Sequence, residues 1–351
     1  MPNVSFERTA DFQRVLTGRV EMYFLNRRLK KRDNLSLYLK AFFFLALAGI
    51  SYIYLLFFSE SFLGVVIPKA ILAFAHLGVG FNVQHDGNHG AFSRYKWVNR
   101  LTGRTLDMLH GTSSWLWQIT HNISHHTYTN VPSHDGDMEY ASLVRLSEHK
   151  PKRPIHAYQH IYVWGFYMLA HLSFLVLDYR RLLRGKAAGE KMSIPWGAEL
   201  AWFIGGKIVF YLLWFVIPMM YHPVWKVIVV DVCIAITIGL GYQLVAQSAH
   251  IVQGTIHPVV AQGKLPWEWF EYQVLTSADF ATRNWFWTFF LGGLNFQREH
   301  HLFPRIAHVH YPALAKIVKQ TCKEFGIKYC EYDTFREALV SHYRFVKAMG
   351  T

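Results

Sequence analysis

The chain has 351 residues, of which 52% are hydrophobic and 17% are charged. Soluble domains typically carry about a quarter charged residues, so this composition argues against an ordinary water-soluble fold. The formal net charge is +13. The basic residues stand in blocks beside long apolar runs, which is unlike the interleaved stripe of a nucleic-acid-binding surface. Composition and charge together indicate a single membrane domain with no nucleic-acid partner.

Four apolar stretches are long enough to cross the hydrocarbon core of a bilayer, which takes roughly 20 helical residues. These predicted spans are residues 39–58, 62–83, 198–221 and 224–246. A fifth stretch, 161–178, is shorter and contains His171. The segments 84–160 and 247–351 are expected to form a helical cap on one membrane face. The predicted fold is all-α, with four transmembrane helices, one interfacial helix and this cap.

Histidines are concentrated in three short boxes, each near the end of an apolar or aromatic run. The boxes are HDGNH at 85–89, HNISHH at 121–126 and QREHH at 297–301. In the first two, histidines at i and i+4 share a helix face and can reach one metal ion. Adjacent histidines in the second and third boxes point about 100° apart and can serve two neighbouring ions. The predicted ligands are His85, His89, His121, His125, His126, His300 and His301.

The boxes can share one site only if all three lie on the same membrane face. The first two follow the second span and the third follows the last, so the chain between His126 and His300 must cross an even number of times. The spans 198–221 and 224–246 already satisfy this condition, which predicts that 161–178 lies in the interface, or dips in and out of the membrane, and does not cross it. The short connections after the first and third spans carry no Lys or Arg. The histidine side and both termini are therefore predicted to be cytosolic.

Ligand type narrows the choice of metal. Neutral imidazole suits zinc, copper, iron and nickel, and Cys233, Cys322 and Cys330 show no metal-ligand spacing. Seven histidines exceed what one tetrahedral ion can use, so two metals are predicted. Few acidic residues lie near the boxes, which disfavours hydrolysis with bridging carboxylates. Attack on an inert C–H bond requires an oxidised metal, and iron with dioxygen is the predicted combination.

The few acidic residues near the boxes are interpreted as partners that accept the second ring N–H of ligand histidines, although ordinary helix-end charges would explain them equally well. They are Asp86, Asp135, Asp137 and Glu299. Isolated histidines elsewhere are interpreted as surface or hydrogen-bonded residues. These are His156, His160, His171, His222, His257, His308, His310 and His342.

The boxes, their order and their flanks resemble the membrane fatty acid desaturases, especially the front-end and bacterial linoleoyl-CoA-like branch. The likeness rests on FNVQHDGNHGAFS, HNISHHTYTN and GGLNFQREHHLFPRIAHVHYP and covers about 81–312. It implies that the seven box histidines bind two iron ions. It also adds His250, at the end of the last span, as a further ligand, with a structural role as the alternative. Gln297 stands where many relatives have histidine, so its part in ligation is open.

The resemblance further implies an oxygen-dependent enzyme that introduces a C=C bond into an acyl chain carried on CoA, acyl carrier protein or lipid. Trp115 and Trp117, just before the second box, are candidates for the wall of an apolar acyl tunnel, although aromatic core packing is the commoner explanation for such residues. An acyl hydroxylase or acetylenase on the same scaffold is the alternative. A non-enzymatic metal-binding membrane protein is a remote one.

Two departures from many front-end relatives bear on partners. The sequence has no HPGG haem motif of a fused cytochrome b5 domain, so electrons are expected from a separate ferredoxin or cytochrome b5. Arg298 replaces a residue that is usually apolar in the family, and it is expected to meet an acidic head group or carrier, or to point to solvent. The expected location is a bacterial inner membrane or the endoplasmic reticulum.

Overall fold

A computed structural model of the chain describes residues 4–8, 10–132, 134–136, 142–187, 190–193 and 195–351. Its first eight helices are α1 (Asp11–Arg27), α2 (Leu35–Phe57), α3 (Phe62–Val79), α4 (His85–His89), α5 (Lys96–Leu109), α6 (Ser114–Trp117), α7 (His126–Tyr128) and α8 (Gln159–Arg184). The next eight are α9 (Ala198–Tyr211), α10 (Ile217–Met219), α11 (Val224–His250), α12 (Trp269–Leu275), α13 (Trp285–Phe290), α14 (Gln297–Leu302), α15 (Tyr311–Phe325) and α16 (Phe335–Gly350).

Short irregular elements join these helices. Three π-helical segments, Gly80–Gln84, Gln118–His125 and Leu212–Val216, connect α3 to α4, α6 to α7 and α9 to α10. Two 3₁₀ turns, Pro154–Tyr158 and His308–His310, precede α8 and α15. The strands β1 (Lys186–Ala187) and β2 (Glu190–Lys191) pair antiparallel, whereas β3 (Asp279–Phe280) and β4 (Glu331–Tyr332) pair parallel.

Five helices of the described chain are long and apolar enough to cross a membrane. They are Leu35–Phe57, Phe62–His89, Pro154–Arg184, Ala198–Met219 and Val224–His250. Four of them coincide, within a few residues at most ends, with the four predicted spans. The all-α membrane fold predicted from the sequence is confirmed in this general form. Pro154–Arg184 also qualifies by length and composition, so the interfacial placement of 161–178 stays a prediction.

The outward faces of these helices are apolar. Phe42, Ile50, Phe62 and Ile208 each expose more than half of their surface. Contiguous apolar surface of this kind is unusual on a soluble monomer, but it is the expected surface of a helix that faces lipid. The chain is a multi-pass membrane protein.

Helices outside the long spans pack around the end of the bundle that carries the histidines. Every fourth residue of α1 is apolar and faces inward, and the stripe that these residues form packs against α12 and α15. The stripe consists of Phe12, Leu16, Val20 and Phe24. On the other side, Phe345 and Val346 of α16 pack against Val163 of α8 and Ile251 after α11. Both chain ends are thereby fixed to the helices that position the site.

The contact between α8 and α11 depends on a glycine. A Cβ atom at Gly239 would lie 2.9 Å from the carbonyl oxygens of Tyr167 and Met168. These are backbone atoms of α8, and they cannot move aside unless the helix itself shifts. We therefore expect Gly239→Ala to lower the free energy of unfolding by about 1–3 kcal/mol, measured by thermal unfolding in detergent micelles. The matched control is Gly205→Ala on α9, where a Cβ would meet nothing within 4 Å. Equal stability of the two variants would contradict this packing.

Candidate metal centre

All eight histidines that the sequence singled out lie together at one end of the long helices. In one group, the ligand atoms of His85, His89, His121 and His300 all lie within 4.8 Å of one another. A second group of the same tightness contains His125, His250 and His301.

His126 joins the two groups. Its ring forms a further group with His300 and His301, whose ligand atoms again lie within 4.8 Å of one another, and it stacks on the His301 ring with 4.2 Å between ring centroids. The adjacent residues His300 and His301 divide between the first two groups. The histidines therefore offer two neighbouring positions for metal ions, and His126, His300 and His301 join these positions.

The second box departs from the regular α-helix assumed from the sequence. Its segment Gln118–His125 is π-helical, with hydrogen bonds from residue i to i+5. This wider turn brings His121 opposite His126, with 3.3 Å between their Nε2 atoms. His121 and His125 fall in different groups. The expectation that the i and i+4 pair of this box serves one ion is therefore wrong, because the helix is wound more loosely than 3.6 residues per turn.

Free lone pairs at the centre fit a metal ion. The Nε2 atoms of His89, His300 and His301 are buried and have no hydrogen-bond partner among the described residues. Leaving such atoms unpaired costs free energy unless a ligand takes them up. Burial, and after it the neighbouring imidazoles, lowers the pKa of His121, His300 and His301 well below the usual histidine value. These rings are neutral at physiological pH, which is the form that binds metals.

Hydrogen bonds to Nδ1 orient several of the rings. The Nδ1 atom of His125 lies 3.1 Å from a carboxylate oxygen of Asp135, and Nδ1 of His250 lies 3.1 Å from the carbonyl oxygen of Thr276. With a proton on each Nδ1, both rings present the Nε2 lone pair to the centre. Asp135 thus occupies the position that the sequence predicted for an acceptor.

Gln273 is a partner that sequence reasoning missed. Its Oε1 atom lies 2.8 Å from Nδ1 of His301, and its amide donates to the carbonyl of His126 over 2.9 Å. One side chain therefore holds both the second and the third box. The available signal was a polar residue within the apolar segment Trp269–Leu275, a pattern that marks a buried hydrogen-bonding group.

Asp86 has a different partner from the one predicted. Its carboxylate lies 2.9 Å from Nδ1 of His308, whereas Nδ1 of His85 is 3.9 Å away, too far for a hydrogen bond. On the other side of the His308 ring, Nζ of Lys40 lies 2.8 Å from Nε2. His308, interpreted from sequence as an ordinary histidine, thus links the first box to the loop after the third.

The charged residues of the third box point away from the metal groups. Glu299 makes no hydrogen bond through its carboxyl oxygens to any described residue, and burial followed by the charge of Asp279 raises its pKa well above the usual value. Arg298 is fully buried, 3.2 Å from Asp279 and stacked over the Tyr329 ring at 4.0 Å. The predicted histidine contact of Glu299 and the predicted surface contact of Arg298 are both wrong. The Arg298 side chain anchors α14 through Asp279 and Tyr329, on the side away from the histidine groups that His300 and His301 join.

Two further predicted positions frame the centre. The Nε2 atom of Gln297 lies 2.9 Å from Nε2 of His250, so its amide faces the ring edge that a metal would use. Trp117 stacks on His121 with 4.2 Å between ring centroids and covers the first group. Asp137 lies outside the described residues.

Comparison with known proteins agrees with this geometry. A family model described as fatty acid desaturase matches residues 60–333. The chain is 36% identical over 351 residues to the sn-1 linoleoyl-lipid 6-desaturase of Synechocystis sp., covering 99% of this chain and 98% of that protein. Identity to the protein of the same name from Arthrospira platensis is 34%, covering 99% and 95%. Identity to the acyl-lipid (8-3)-desaturase of Physcomitrium patens is 35%, covering 97% and 72%.

Replacement of Gln273 tests the hydrogen bond behind His301. We expect Gln273→Leu to weaken metal binding by about 10- to 100-fold, because His301 loses the acceptor that fixes its tautomer and ring orientation. The measurement is the metal content of purified protein after dialysis against graded chelator concentrations. Gln320→Leu, which removes an exposed amide bonded to Glu324, is the control. Identical metal retention by both variants would contradict this role.

Proposed function

The chain belongs to the fatty acid desaturase family, and we propose that it is an oxygen-dependent, di-iron enzyme that introduces a double bond into lipid-linked acyl chains. The resemblance predicted from the three boxes is confirmed at the level of the family, and membership makes the protein an oxidoreductase. The observation that carries the finer proposal is the pair of histidine groups joined through His126, His300 and His301.

The donor set favours iron that activates dioxygen over hydrolytic chemistry. Every candidate ligand is an imidazole, and the nearby carboxylates of Asp86, Asp135 and Glu299 bind other groups or point away. When bound, iron would supply an oxidant strong enough to take hydrogen from an unactivated methylene. The balanced reaction consumes dioxygen, two electrons and two protons, and yields one C=C bond and two water molecules.

The contribution of the protein is orientation and exclusion of water. The Nδ1 contacts of His125, His250 and His301 fix which nitrogen faces the centre. His300 and His301 have no exposed surface, and Trp117 covers His121. A dry and rigid centre limits loss of the oxidant to side reactions.

The names of the relatives support a lipid-linked substrate. The proteins from Synechocystis sp. and Arthrospira platensis are linoleoyl-lipid desaturases, and that from Physcomitrium patens is an acyl-lipid desaturase. We propose the same class of carrier here, in preference to CoA or acyl carrier protein. Electrons would come from a separate ferredoxin or cytochrome b5.

The packing of α8 supports the proposed topology of four spans. Near its start, Val163 packs with Ile251, which follows the last span. Near its end, Leu182 packs with Leu116, just before the second box. Both ends thus lie beside segments that carry the histidines, as expected of a helix that does not cross the membrane. Residues 84–160 and 247–351 would then form the cytosolic cap, with both termini and the site on that side.

Product analysis tests the proposed reaction directly. Cells that express the protein and receive defined fatty acids should accumulate a lipid-bound product with one additional double bond. Accumulation should stop without dioxygen. Acyl chains that carry only a new hydroxyl group or triple bond would contradict the proposal and identify the alternative activity.

Two ligand variants test the two metal groups. We expect His121→Ala and His301→Ala each to lower activity by more than about 100-fold, because each removes a first ligand and the loss should exceed that caused by removing a supporting hydrogen bond. Wild-type protein should contain about two irons per chain by mass spectrometry, and both variants should contain less. His149→Ala, at an exposed ring 3.6 Å from a carboxylate oxygen of Glu148, is the control. Full iron content and activity in either ligand variant would overturn the di-iron assignment.

A further inference from the structure

A run of basic residues lies on the surface beside the segment that follows the third box. The run is RRLKKR at 27–32, where α1 ends and the connection to α2 begins. Its backbone is bonded to that segment at two points. The amide of Ala307 donates to the carbonyl of Lys31 over 2.9 Å, and Nε2 of His310 lies 2.9 Å from the carbonyl oxygen of Lys30. The run is therefore fixed against the segment that leads from the third box into α15.

The positive charge of this surface is not neutralised within the described part of the chain. Arg28, Lys30 and Arg305 are exposed, and none of them forms an ion pair with a described residue. Arg305 joins the run because its carbonyl accepts a hydrogen bond from Nε of Arg32 over 3.0 Å. Burial, and after it the charge of Arg305, lowers the pKa of Arg32 below its usual value, so the two guanidinium groups lie close enough to repel each other. We call Arg28, Lys30 and Arg305 the basic patch.

The carboxylates nearest in sequence to the patch already have other partners. Glu21 pairs with Lys31. Asp33 accepts hydrogen bonds from the hydroxyl of Ser93 and the backbone amide of Arg94. Clustered like charges attract a partner of opposite charge and speed its approach. The surface is therefore suited to an acidic partner.

Aromatic side chains lead from this surface to the histidine groups. Nζ of Lys31 lies over the Phe24 ring, 5.8 Å from its centroid, and the Phe24 ring is 4.9 Å from that of His310. The next residue, Tyr311, is buried and places its hydroxyl 3.4 Å from Nδ1 of His300. Only two ring-bearing residues, His310 and Tyr311, therefore separate Phe24 from a candidate ligand.

We propose that the basic patch is the docking surface for the electron donor, an acidic one-electron carrier protein, which places its redox group next to His310 and Tyr311. This inference rests on the proposed desaturase function. In each turnover two reduced carriers lose one electron each. These electrons, two protons from solvent and two hydrogens from the acyl chain reduce dioxygen to two water molecules. Complexes of this kind are small and short-lived, and opposite charges guide their formation.

An anionic lipid surface is the other acidic partner that basic residues beside a membrane span can meet. The run does precede the helix that begins at Leu35. Arg305 favours the carrier, because it comes from the segment after the third box and flanks no span. The contact of the neighbouring Tyr311 with His300 favours it as well, since a lipid has no use for a short route to the ligands.

Charge reversal tests the docking surface. Wild type and the triple variant Arg28→Glu, Lys30→Glu, Arg305→Glu are placed in phosphatidylcholine nanodiscs. An acidic [2Fe–2S] ferredoxin and the soluble haem domain of cytochrome b5 are titrated in turn. For the carrier that supports turnover, the variant should bind about 10- to 100-fold more weakly at low salt, because attractive contacts become repulsive. The wild-type affinity should fall as salt rises.

The matched control is the triple variant Arg180→Glu, Arg184→Glu, Lys186→Glu, which makes the same change in net charge at exposed positions near the end of α8. It should bind the carrier as wild type does. Equal affinity of the patch variant and wild type, or equal weakening in both variants, would overturn the inference and leave the desaturase function intact. A wild type that accepts electrons from the carrier but forms no new double bond would instead contradict the proposed function.

Cross-linking locates the carrier without requiring turnover. A carbodiimide couples carboxylates of the bound carrier to lysine amines, and the joined peptides are mapped by mass spectrometry. Cross-links at Lys30 or Lys31 would support the proposal. Cross-links confined to Lys186 would overturn it. So would a patch variant that binds the carrier normally but loses the anionic lipid that native mass spectrometry detects on wild type, since the patch would then contact lipid head groups.

Discussion

Imidazoles packed against one another in a buried site can remain together only while they are neutral, and this constraint governs the arrangement of the rest of the chain. Protonation would place several positive charges a few ångströms apart in a medium of low dielectric constant. The protein therefore needs groups that fix each ring in the neutral tautomer, with its lone pair directed inward. Asp135, Gln273 and the carbonyl of Thr276 supply these contacts from three different segments.

The supporting groups explain why so many polar side chains near the histidine groups are buried. Arg298 and Asp279 hold α14 from the side opposite the histidine groups, and Lys40 and His308 connect α2 to the first box through Asp86. Buried ionic contacts of this kind add little net stability but disfavour alternative arrangements that would leave a charge unpaired. Their effect here is to determine the position of the ligand-bearing helices.

The histidines that the sequence singled out do lie together in the structure, and the spacing within each box reflects local chemistry. Boxes such as HDGNH carry their geometry in three or four residues, and the four longest apolar runs report directly on a hydrocarbon environment. The sequence predicted their supporting partners poorly. Gln273 and His308 lie far along the chain from the groups they contact, His301 and Asp86, and their local sequence does not indicate these partners. The π-helical turn in the second box was also hidden, because a regular helix was the default assumption.

The sequence by itself determined the class of protein and the seven box histidines as candidate ligands, since composition and short-range spacing carry that information, and the family resemblance added His250. The tertiary structure decided how those ligands divide, which acceptors orient them, and that Arg298 and Glu299 face away from the centre. These features depend on contacts between distant segments, and only folding brings such segments together.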